Sequence, residues 1–255
     1  IVWDPYFEPN PDYHYEGIID SLKRVAEHLP RVDAIGGSAA GCYSHNKVTW
    51  ASLFRGVGHE DFEAKVRDMF TNIAEEWNCP WEVINDGEVT ALAGSMALRK
   101  KGESGNGVLG IAMGTSEGGG YVDMDGNITT WLSELAFAPV DLHPEAPADE
   151  WSGDLGVGAQ YFSQQAVARL LPASGIEYDA SLSMPEQLKI VQKLMEEGDE
   201  RALKIYDAIG IYLGYTLAHY AEFYEFQYVL LLGRVTTGPG GEHIIMRSKE
   251  VMASE

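Results

Sequence analysis

The chain has 255 residues, of which 45% are hydrophobic, and it carries a formal net charge of −21. This length and composition are ordinary for a globular protein with one large domain or two lobes. The acidity repels phosphate backbones and anionic lipids, so we expect neither nucleic-acid nor membrane partners. The sequence contains no apolar run of the roughly 20 residues that a membrane span needs, and it opens without a signal-peptide pattern.

The N-terminal part of the chain alternates helix and strand patterns. Residues 17–29 carry apolar positions at helical spacing, and residues 32–36 predict a short strand before the glycine-rich turn GGSAAG. Residues 60–77 predict a second helix, which Pro80 ends before the strand WEVIND. Residues 87–99 are rich in Ala and Leu and predict a third helix.

A glycine-rich break, GESGNG at residues 102–107, is the predicted lobe boundary. The predicted domains are therefore residues 1–101 and 102–255, the first of them incomplete at its start. Two strand patterns follow the break, VLGIAMG and GGYVDMDGNITTW. The dipeptide Asp125-Gly126 in the second pattern indicates a hairpin turn.

The C-terminal part of the chain is predicted to be mainly helical. Residues 132–158 hold several prolines and predict an irregular segment, and helices are predicted near residues 160–171, 185–197 and 199–224. In the last of these, two glycines four residues apart, at 210 and 214, would let a neighbouring element approach closely. A strand at residues 228–232 then leads into GRVTTGPGG and a final helix. This alternation predicts the α/β fold class.

The carboxylate of Asp86 is the first candidate for chemistry. Asn85 and Asp86 end an apolar strand, where α/β proteins place their ligands. Phosphoryl transfer to an alcohol needs a base that accepts the hydroxyl proton, and an aspartate beside an amide suits that role. The alternative is structural, since Asp before Gly-Glu-Val is a good helix N-cap. The sequence leaves both interpretations open.

Two glycine-rich turns are candidates for binding phosphate. In GTSEGGG, glycine backbone N–H groups and two hydroxyls can cradle phosphate oxygens, although a tight hairpin without a ligand is the alternative. In GRVTTGPGG, a strand, a turn and a helix start can meet phosphate or a nucleoside, although a helix-initiating loop is the alternative. The nucleotide-binding candidates are Gly114, Thr115, Ser116, Gly118, Gly119, Gly233, Gly240 and Gly241.

Taken in chain order, these motifs resemble the ROK family of sugar kinases and related repressors. The resemblance runs from about residue 32 to the C-terminus and covers Asn-Asp, Gly-Thr-x-x-Gly-Gly-Gly, an Asp-Gly hairpin and a strand ending in Leu-Gly-x-Val. It implies a two-lobe actin/hexokinase-like (ribonuclease H-like) ATPase fold. It also implies ATP-dependent phosphorylation of a sugar hydroxyl with Mg²⁺, and it suggests a homodimer.

The resemblance also implies roles for individual residues. VINDGEVTALAG resembles the strand and helix that carry the family's catalytic aspartate, which falls on Asp86. SELAF stands where the family has Gly-Glu-x-Gly-His, so its sugar-binding glutamate falls on Glu134. IGGSAAG resembles the family's glycine-proline turn, and WASLF lies near its sugar-binding asparagine. The substrate-binding candidates are Gly37, Ser38, Ser52, Asn85 and Glu134.

The sequence departs from the family pattern in its zinc and sugar motifs. Phe137 replaces the zinc- and sugar-binding histidine, and a second sugar-binding glutamate falls on Ala159. The cysteine-rich zinc segment is replaced by DEWSGDLGVGAQYF. The chain's two cysteines, Cys42 and Cys79, lie far apart, so we expect no metal site and a reducing, cytoplasmic location.

The family's first phosphate motif, of the Asp-x-Gly-Gly-Thr kind, has no counterpart in residues 1–16. We therefore expect either that a preceding segment lies outside this chain or that the protein does not hydrolyse ATP. The main functional alternative is a non-catalytic sugar-binding or regulatory protein on the same fold. A DNA-binding version would need a basic helix-turn-helix, which the sequence lacks. A third possibility is an unrelated α/β protein with purely structural glycine turns.

Overall fold

A computed structural model describes residues 7–129 and 131–254, so the first six residues of the predicted N-terminal lobe lie outside the described part. The chain forms two compact units. The first unit contains residues 1–89 and 130–132, and the second contains residues 90–129 and 133–255. The domain boundary near residue 101, and with it the predicted domains 1–101 and 102–255, stays a prediction.

Within its described residues, the first unit contains four short strands and three α-helices that lie wholly inside it. Its strands are β1 (Ile35–Ala39), β2 (Cys42–Ser44), β3 (Lys47–Trp50) and β4 (Trp81–Asn85). Its helices are α1 (Pro11–Ala26), α2 (His59–Asp61) and α3 (Met69–Trp77). β1 pairs with β4 in parallel, and β2 pairs with β3 antiparallel. Because Ala39 lies opposite Asn85, the carboxyl ends of β1 and β4 meet at one edge.

The predicted first helix is displaced in the structure. α1 begins at Pro11 rather than at residue 17, because the Asn10 side chain accepts a hydrogen bond from the Asp12 backbone N–H at 3.0 Å and so caps the helix. Proline at the first helical position fits this start, since its missing N–H would have no helical partner. The N-cap signal was therefore present in the sequence, upstream of the apolar periodicity.

Two further predicted elements differ from the structure. The glycines at 36 and 37, predicted to form a turn, lie in β1, because pairing with β4 supplies backbone hydrogen bonds. The single helix predicted over 60–77 is interrupted by a π-helical turn at Phe62–Val66. The Arg67 carbonyl, which a continuous helix would use internally, instead accepts a hydrogen bond from the Val48 N–H at 2.9 Å.

The second unit is a three-stranded sheet covered by helices. Its strands are β5 (Val108–Met113), β6 (Glu117–Val122) and β7 (Tyr228–Leu232), in the order β6-β5-β7. α4 (Asp86–Lys100) begins in the first unit and continues in the second. The remaining helices are α5 (Gln164–Leu170), α6 (Met184–Glu196), α7 (Glu200–Tyr220) and α8 (Gly238–Ser254). The predicted α/β class and the strand at residues 228–232 are confirmed.

The close approach predicted at the glycines of α7 is confirmed. A Cβ atom added at Gly210 would lie 2.8 Å from the Cβ of Arg247, and one added at Gly214 would lie 2.6 Å from the Cβ of Val251. Both contacts lie on α8, so the two glycines let the long helices pack backbone to backbone. No helix among the described residues has both the length and the apolar character to cross a bilayer.

Candidate functional site

Asn85 caps helix α4 and fixes its junction with β4. Its side-chain carbonyl accepts a hydrogen bond from the Gly87 N–H at 2.7 Å, and its amide donates to the Gly41 carbonyl at 2.8 Å. Asp86 is the first helical residue rather than the cap. The interpretation of Asp86 as the N-cap is therefore wrong, because the preceding amide already fills that position.

The carboxylate of Asp86 is exposed on the first turn of α4. It lies near Tyr43, whose pKa is raised mainly by burial of the phenol and further by the negative charge of Asp86. The Tyr43 hydroxyl donates a hydrogen bond to the Ala40 carbonyl at 3.2 Å. Asp86 thus stands beside a neutral phenol, at the edge of the sheet where β1 and β4 end.

The other candidates of the first unit gather at the same edge. Gly37 and Ser38 lie near the end of β1, in the parallel pairing with β4. Ser52 follows Ala51, which packs closely against Gly41: a Cβ atom added at Gly41 would lie 2.6 Å from the Ala51 Cβ. The Gly41 carbonyl accepts the hydrogen bond from the Asn85 amide, so Ser52 lies near the end of the sheet at which α4 begins. Glu134 lies in the second unit.

In the second unit, the two glycine-rich turns meet at one edge of the sheet. β5 and β7 are parallel, so their carboxyl ends lie together. Gly233, directly after β7, touches the end of β5, since a Cβ atom added there would lie 2.4 Å from the Met113 carbonyl oxygen. The Gly114 carbonyl accepts a hydrogen bond from the Gln164 N–H at 2.9 Å, which ties the first turn to the start of α5.

Four of the candidate glycines are required by the fold itself. An added Cβ atom would lie 2.4 Å from a backbone oxygen at position 119, 2.3 Å from the Tyr206 ring at position 240 and 1.8 Å from the Thr236 carbonyl oxygen at position 241. Position 233 has a φ of +101°, which L side chains rarely adopt. Packing and backbone conformation explain these glycines without a ligand. They are Gly119, Gly233, Gly240 and Gly241.

Gly114 and Gly118 differ from those four glycines. An added Cβ atom would have its nearest neighbour 3.5 Å away at either position, which is an ordinary contact, and neither residue has a positive φ. The fold would therefore accept a Cβ atom at both places. Their bare backbone, next to the hydroxyls of Thr115 and Ser116, favours the phosphate interpretation of this turn.

Gly118→Val is expected to weaken binding of an ATP analogue without unfolding the protein. An added Cβ atom makes only ordinary contacts in the fold, whereas the branched side chain would stand where phosphate oxygens approach the backbone. Isothermal titration measures the affinity and thermal unfolding checks the fold. Gly119→Ala is the matched control, because its Cβ atom would clash with the Ser133 carbonyl and lower the melting temperature. Unchanged affinity in folded Gly118→Val protein would leave this turn a structural hairpin.

Glu117 lies in the middle of the same turn motif. Its side chain is buried, which the motif did not predict. Its side chain is 5% exposed, and neither carboxyl oxygen has a hydrogen-bond partner among the described residues. Burial raises the pKa of this carboxyl to about 8, so it is protonated at neutral pH. The strand alternation held a signal, because Glu117 shares its face of β6 with Tyr121, which is also buried.

A packed loop occupies the region where the family resemblance would place zinc and sugar motifs. Phe137 stacks at a tilt against Trp151, with ring centroids 5.4 Å apart. Ala159 is 1% exposed, and its carbonyl accepts a hydrogen bond from the Ser163 hydroxyl at 2.6 Å. Within the described ranges, no three His, Cys, Asp or Glu side chains come close enough to hold a metal ion.

Comparisons with known proteins give this geometry a context. No family model matches the chain. A glucokinase from Halalkalibacterium halodurans is 26% identical over 231 residues, which are 86% of this chain and 68% of the relative. The ROK hexokinase from Thermus thermophilus superimposes with a TM-score of 0.66 and 18% identity, over 100% of this chain and 81% of that chain.

Two further solved structures have the same fold. A ROK family glucokinase from Streptomyces griseus, in complex with glucose and AMPPNP, has a TM-score of 0.62 and 19% identity, over 97% of this chain and 79% of that one. A ROK family transcriptional regulator has a TM-score of 0.68 and 16% identity, over 96% of this chain and 60% of that one.

The chain therefore has the actin/hexokinase-like ATPase fold, as the motifs predicted. The resemblance to the ROK family is confirmed, and proteins with this fold include both sugar kinases and a regulator.

Proposed function

We propose that this chain is an ATP-dependent kinase that phosphorylates a hydroxyl of a sugar or sugar derivative. The glucokinase similarity over 231 residues supports this proposal. The observation that carries it is the exposed carboxylate of Asp86, at a strand end whose capping role belongs to Asn85. Asp86 also stabilises the helix as an acid in its first turn, but its side chain is exposed at a strand end, where it can serve as the base that phosphoryl transfer needs.

In this proposal, Asp86 accepts the proton of the attacking hydroxyl as the new oxygen–phosphorus bond forms. The sugar is bound by the substrate candidates of the first unit, and the family resemblance alone assigns Glu134 a role in sugar binding. ATP phosphates are held by the backbone of Gly114 and Gly118 and by the hydroxyls of Thr115 and Ser116. Mg²⁺ would bind together with ATP and neutralise charge on the phosphate oxygens. Its ligands would be mainly those oxygens and water, so no protein residue is assigned to it.

A non-catalytic sugar-binding or regulatory protein is the second candidate function. The similarity to a ROK family transcriptional regulator favours it, as does the replacement of polar family positions by Phe137 and Ala159. For either function, we propose a cytoplasmic location and a homodimer on the basis of the family resemblance alone.

A coupled assay for ADP release, run on the complete encoded protein with a panel of hexoses and N-acetylhexosamines, separates the two functions. Sugar-dependent ADP release is expected, together with binding of AMPPNP by titration calorimetry. Sugar binding without turnover at any ATP concentration would favour the regulatory function. If neither a sugar nor AMPPNP binds, both proposals fail.

A further inference from the structure

The hairpin of β2 and β3 lies beside β4, but in the described part of the chain it shares no backbone ladder with that strand. β4 pairs with β1 on one edge, where the Ile35 N–H donates a hydrogen bond to the Pro80 carbonyl at 2.8 Å. Successive carbonyls of a strand face opposite edges, so the Trp81 carbonyl and the Val83 N–H face the other edge. Backbone groups at that edge need partners other than a neighbouring strand.

One side-chain amide takes the place of a neighbouring strand at this edge. The amide nitrogen of Asn46, in the turn of the hairpin, donates a hydrogen bond to the Trp81 carbonyl at 2.8 Å. The side-chain carbonyl of Asn46 accepts one from the Val83 N–H, also at 2.8 Å. A carbonyl and an N–H two residues apart are the pair that one residue of a parallel neighbour would engage. The turn of the hairpin is therefore held on β4 in a defined register.

The other end of the hairpin is attached close to the end of β4. Gly41, directly before β2, accepts a hydrogen bond from the Asn85 amide through its carbonyl. Asn46 and Asn85 thus provide two points of attachment, one near each end of β4. A shift of the hairpin along β4 would break the bonds at both points.

The hairpin carries or leads to groups of the proposed acceptor site. Tyr43, in β2, lies near Asp86. Ser52 follows the end of β3 by two residues, and Asp86 follows the end of β4 directly. The position of the hairpin on β4 therefore sets the distance between Ser52 and the proposed base.

The backbone conformation at position 46 accounts for an asparagine there, but not for the bonds of its amide. Asn46 has a φ of 63°, in the left-handed region that asparagine tolerates better than most residues. The adjacent His45 has a similar φ of 51°, yet its ring contacts the Ser44 hydroxyl of the same turn, at 3.1 Å, instead of β4. A left-handed turn residue can therefore be accommodated here without a clamp on β4.

We propose that Asn46 is a positioning residue for the phosphorylation reaction. Its amide sets the register of the hairpin on β4 and, through the hairpin, the distance between Ser52 and Asp86. This inference rests on the proposed kinase function and adds to it a residue that touches neither sugar nor ATP.

The first unit should stay folded without this amide. On its other side the hairpin is held by the Val48 N–H, which donates to the Arg67 carbonyl at 2.9 Å, and by the ion pair of Lys47 with Asp68 at 2.8 Å. Tyr43 and Val48 are also buried in the hydrophobic core of this unit. Loss of the amide should therefore leave a folded protein whose hairpin can shift on β4.

The test is Asn46→Gly in the complete encoded protein, because glycine adopts the left-handed conformation freely and the change removes the amide. We expect kcat/KM for the sugar to fall about tenfold to a hundredfold, since a displacement of about 1 Å can cost that much. The sugar dissociation constant should rise, whereas AMPPNP affinity should stay at the wild-type value because the proposed phosphate turn lies in the second unit. Asn46→Asp, which keeps an acceptor for the Val83 N–H, should recover part of the loss.

His45→Gly is the matched control, because it introduces the same backbone freedom at the adjacent left-handed position. It should keep wild-type kinetics. A merely structural role of Asn46 predicts a lower melting temperature and a smaller active fraction, which lowers kcat and leaves the KM values for sugar and ATP unchanged. Calorimetry, steady-state kinetics and thermal unfolding on the same preparations distinguish the two roles.

The outcomes separate this inference from the function on which it rests. If the wild type phosphorylates a sugar and folded Asn46→Gly matches it in kcat and sugar affinity, the positioning role is wrong while the proposed function stands. The same holds if only kcat falls, or if His45→Gly loses as much as Asn46→Gly. If the wild type phosphorylates no sugar of the panel, the proposed function fails and this inference fails with it.

Discussion

Asp86→Asn is expected to lower the rate of sugar phosphorylation by about a hundredfold to ten-thousandfold, the typical contribution of a general base. Sugar affinity should be largely retained, because the amide keeps the size and polarity of the side chain. Stability should fall by no more than about 1 kcal/mol, because Asn85 keeps the cap of α4 and only the favourable charge of Asp86 in the first turn is lost. Steady-state kinetics, sugar titration and thermal unfolding measure these three quantities on the complete encoded protein.

Two variants of the same strand end serve as controls for Asp86→Asn. Glu82→Gln makes the same carboxylate-to-amide change at an exposed position of β4, and it should leave turnover unchanged. Asn85→Ala removes the cap and should lower the stability by about 1 kcal/mol, which locates the capping role by experiment. Near-normal turnover in Asp86→Asn, with active wild-type protein, would remove Asp86 from the role of base.

The junction between β4 and α4 could be anticipated from local sequence, whereas the elements around it could not. An apolar strand followed by Asn-Asp-Gly predicts a strand end and a helix start with little ambiguity. Gly36 and Gly37 resemble turn residues locally, but they form a strand because β4, more than forty residues later, pairs with them. Such pairing is a tertiary effect, which overrides local propensity.

The candidate site shows the same limit. Motif matching treats all glycines of a phosphate motif alike. The structure distinguishes them by whether an added Cβ atom would clash with neighbouring atoms. Gly119 is needed for packing against a backbone carbonyl, whereas Gly118 has space for a Cβ atom. That distinction depends on Ser133, which is distant along the chain, so no local pattern could reveal it. The structure therefore selects Gly118 over its neighbour as the informative position for a binding experiment.

The stability of the second unit should depend on pH through Glu117. Its pKa is about 8 in the folded protein, against 4.5 for an ordinary glutamate, because burial disfavours the charged form. Between these two values the folded protein holds a proton that the unfolded chain has released. The free energy of unfolding should therefore fall as the pH rises from about 4.5 to about 8, by about 1.4 kcal/mol per pH unit, and level off above that range.

Glu117→Gln and Glu117→Met should remove this dependence, since neither side chain ionises. Glu117→Met should also raise the melting temperature at neutral pH, because it replaces a buried carboxyl that has no hydrogen-bond partner with an apolar chain of similar length. Denaturant unfolding from pH 5 to pH 9 measures the effect as the difference between wild type and variant. Taking that difference cancels carboxylates such as Asp149, whose lowered pKa gives a dependence of opposite sign.

The exposed Glu82→Gln variant again supplies the control, and its unfolding free energy should follow the wild-type curve throughout. Glu117 joins the Gly114–Ser116 turn to β6, so its ionisation should loosen the proposed phosphate turn first. Hydrogen exchange of the Gly118 and Gly119 amides should accordingly speed up above pH 8 in the wild type, beyond the ordinary pH dependence seen in Glu117→Gln. If the two unfolding curves run parallel from pH 5 to pH 9, the carboxyl of Glu117 is hydrated or paired in solution, and the neutral, buried state assigned to it is wrong.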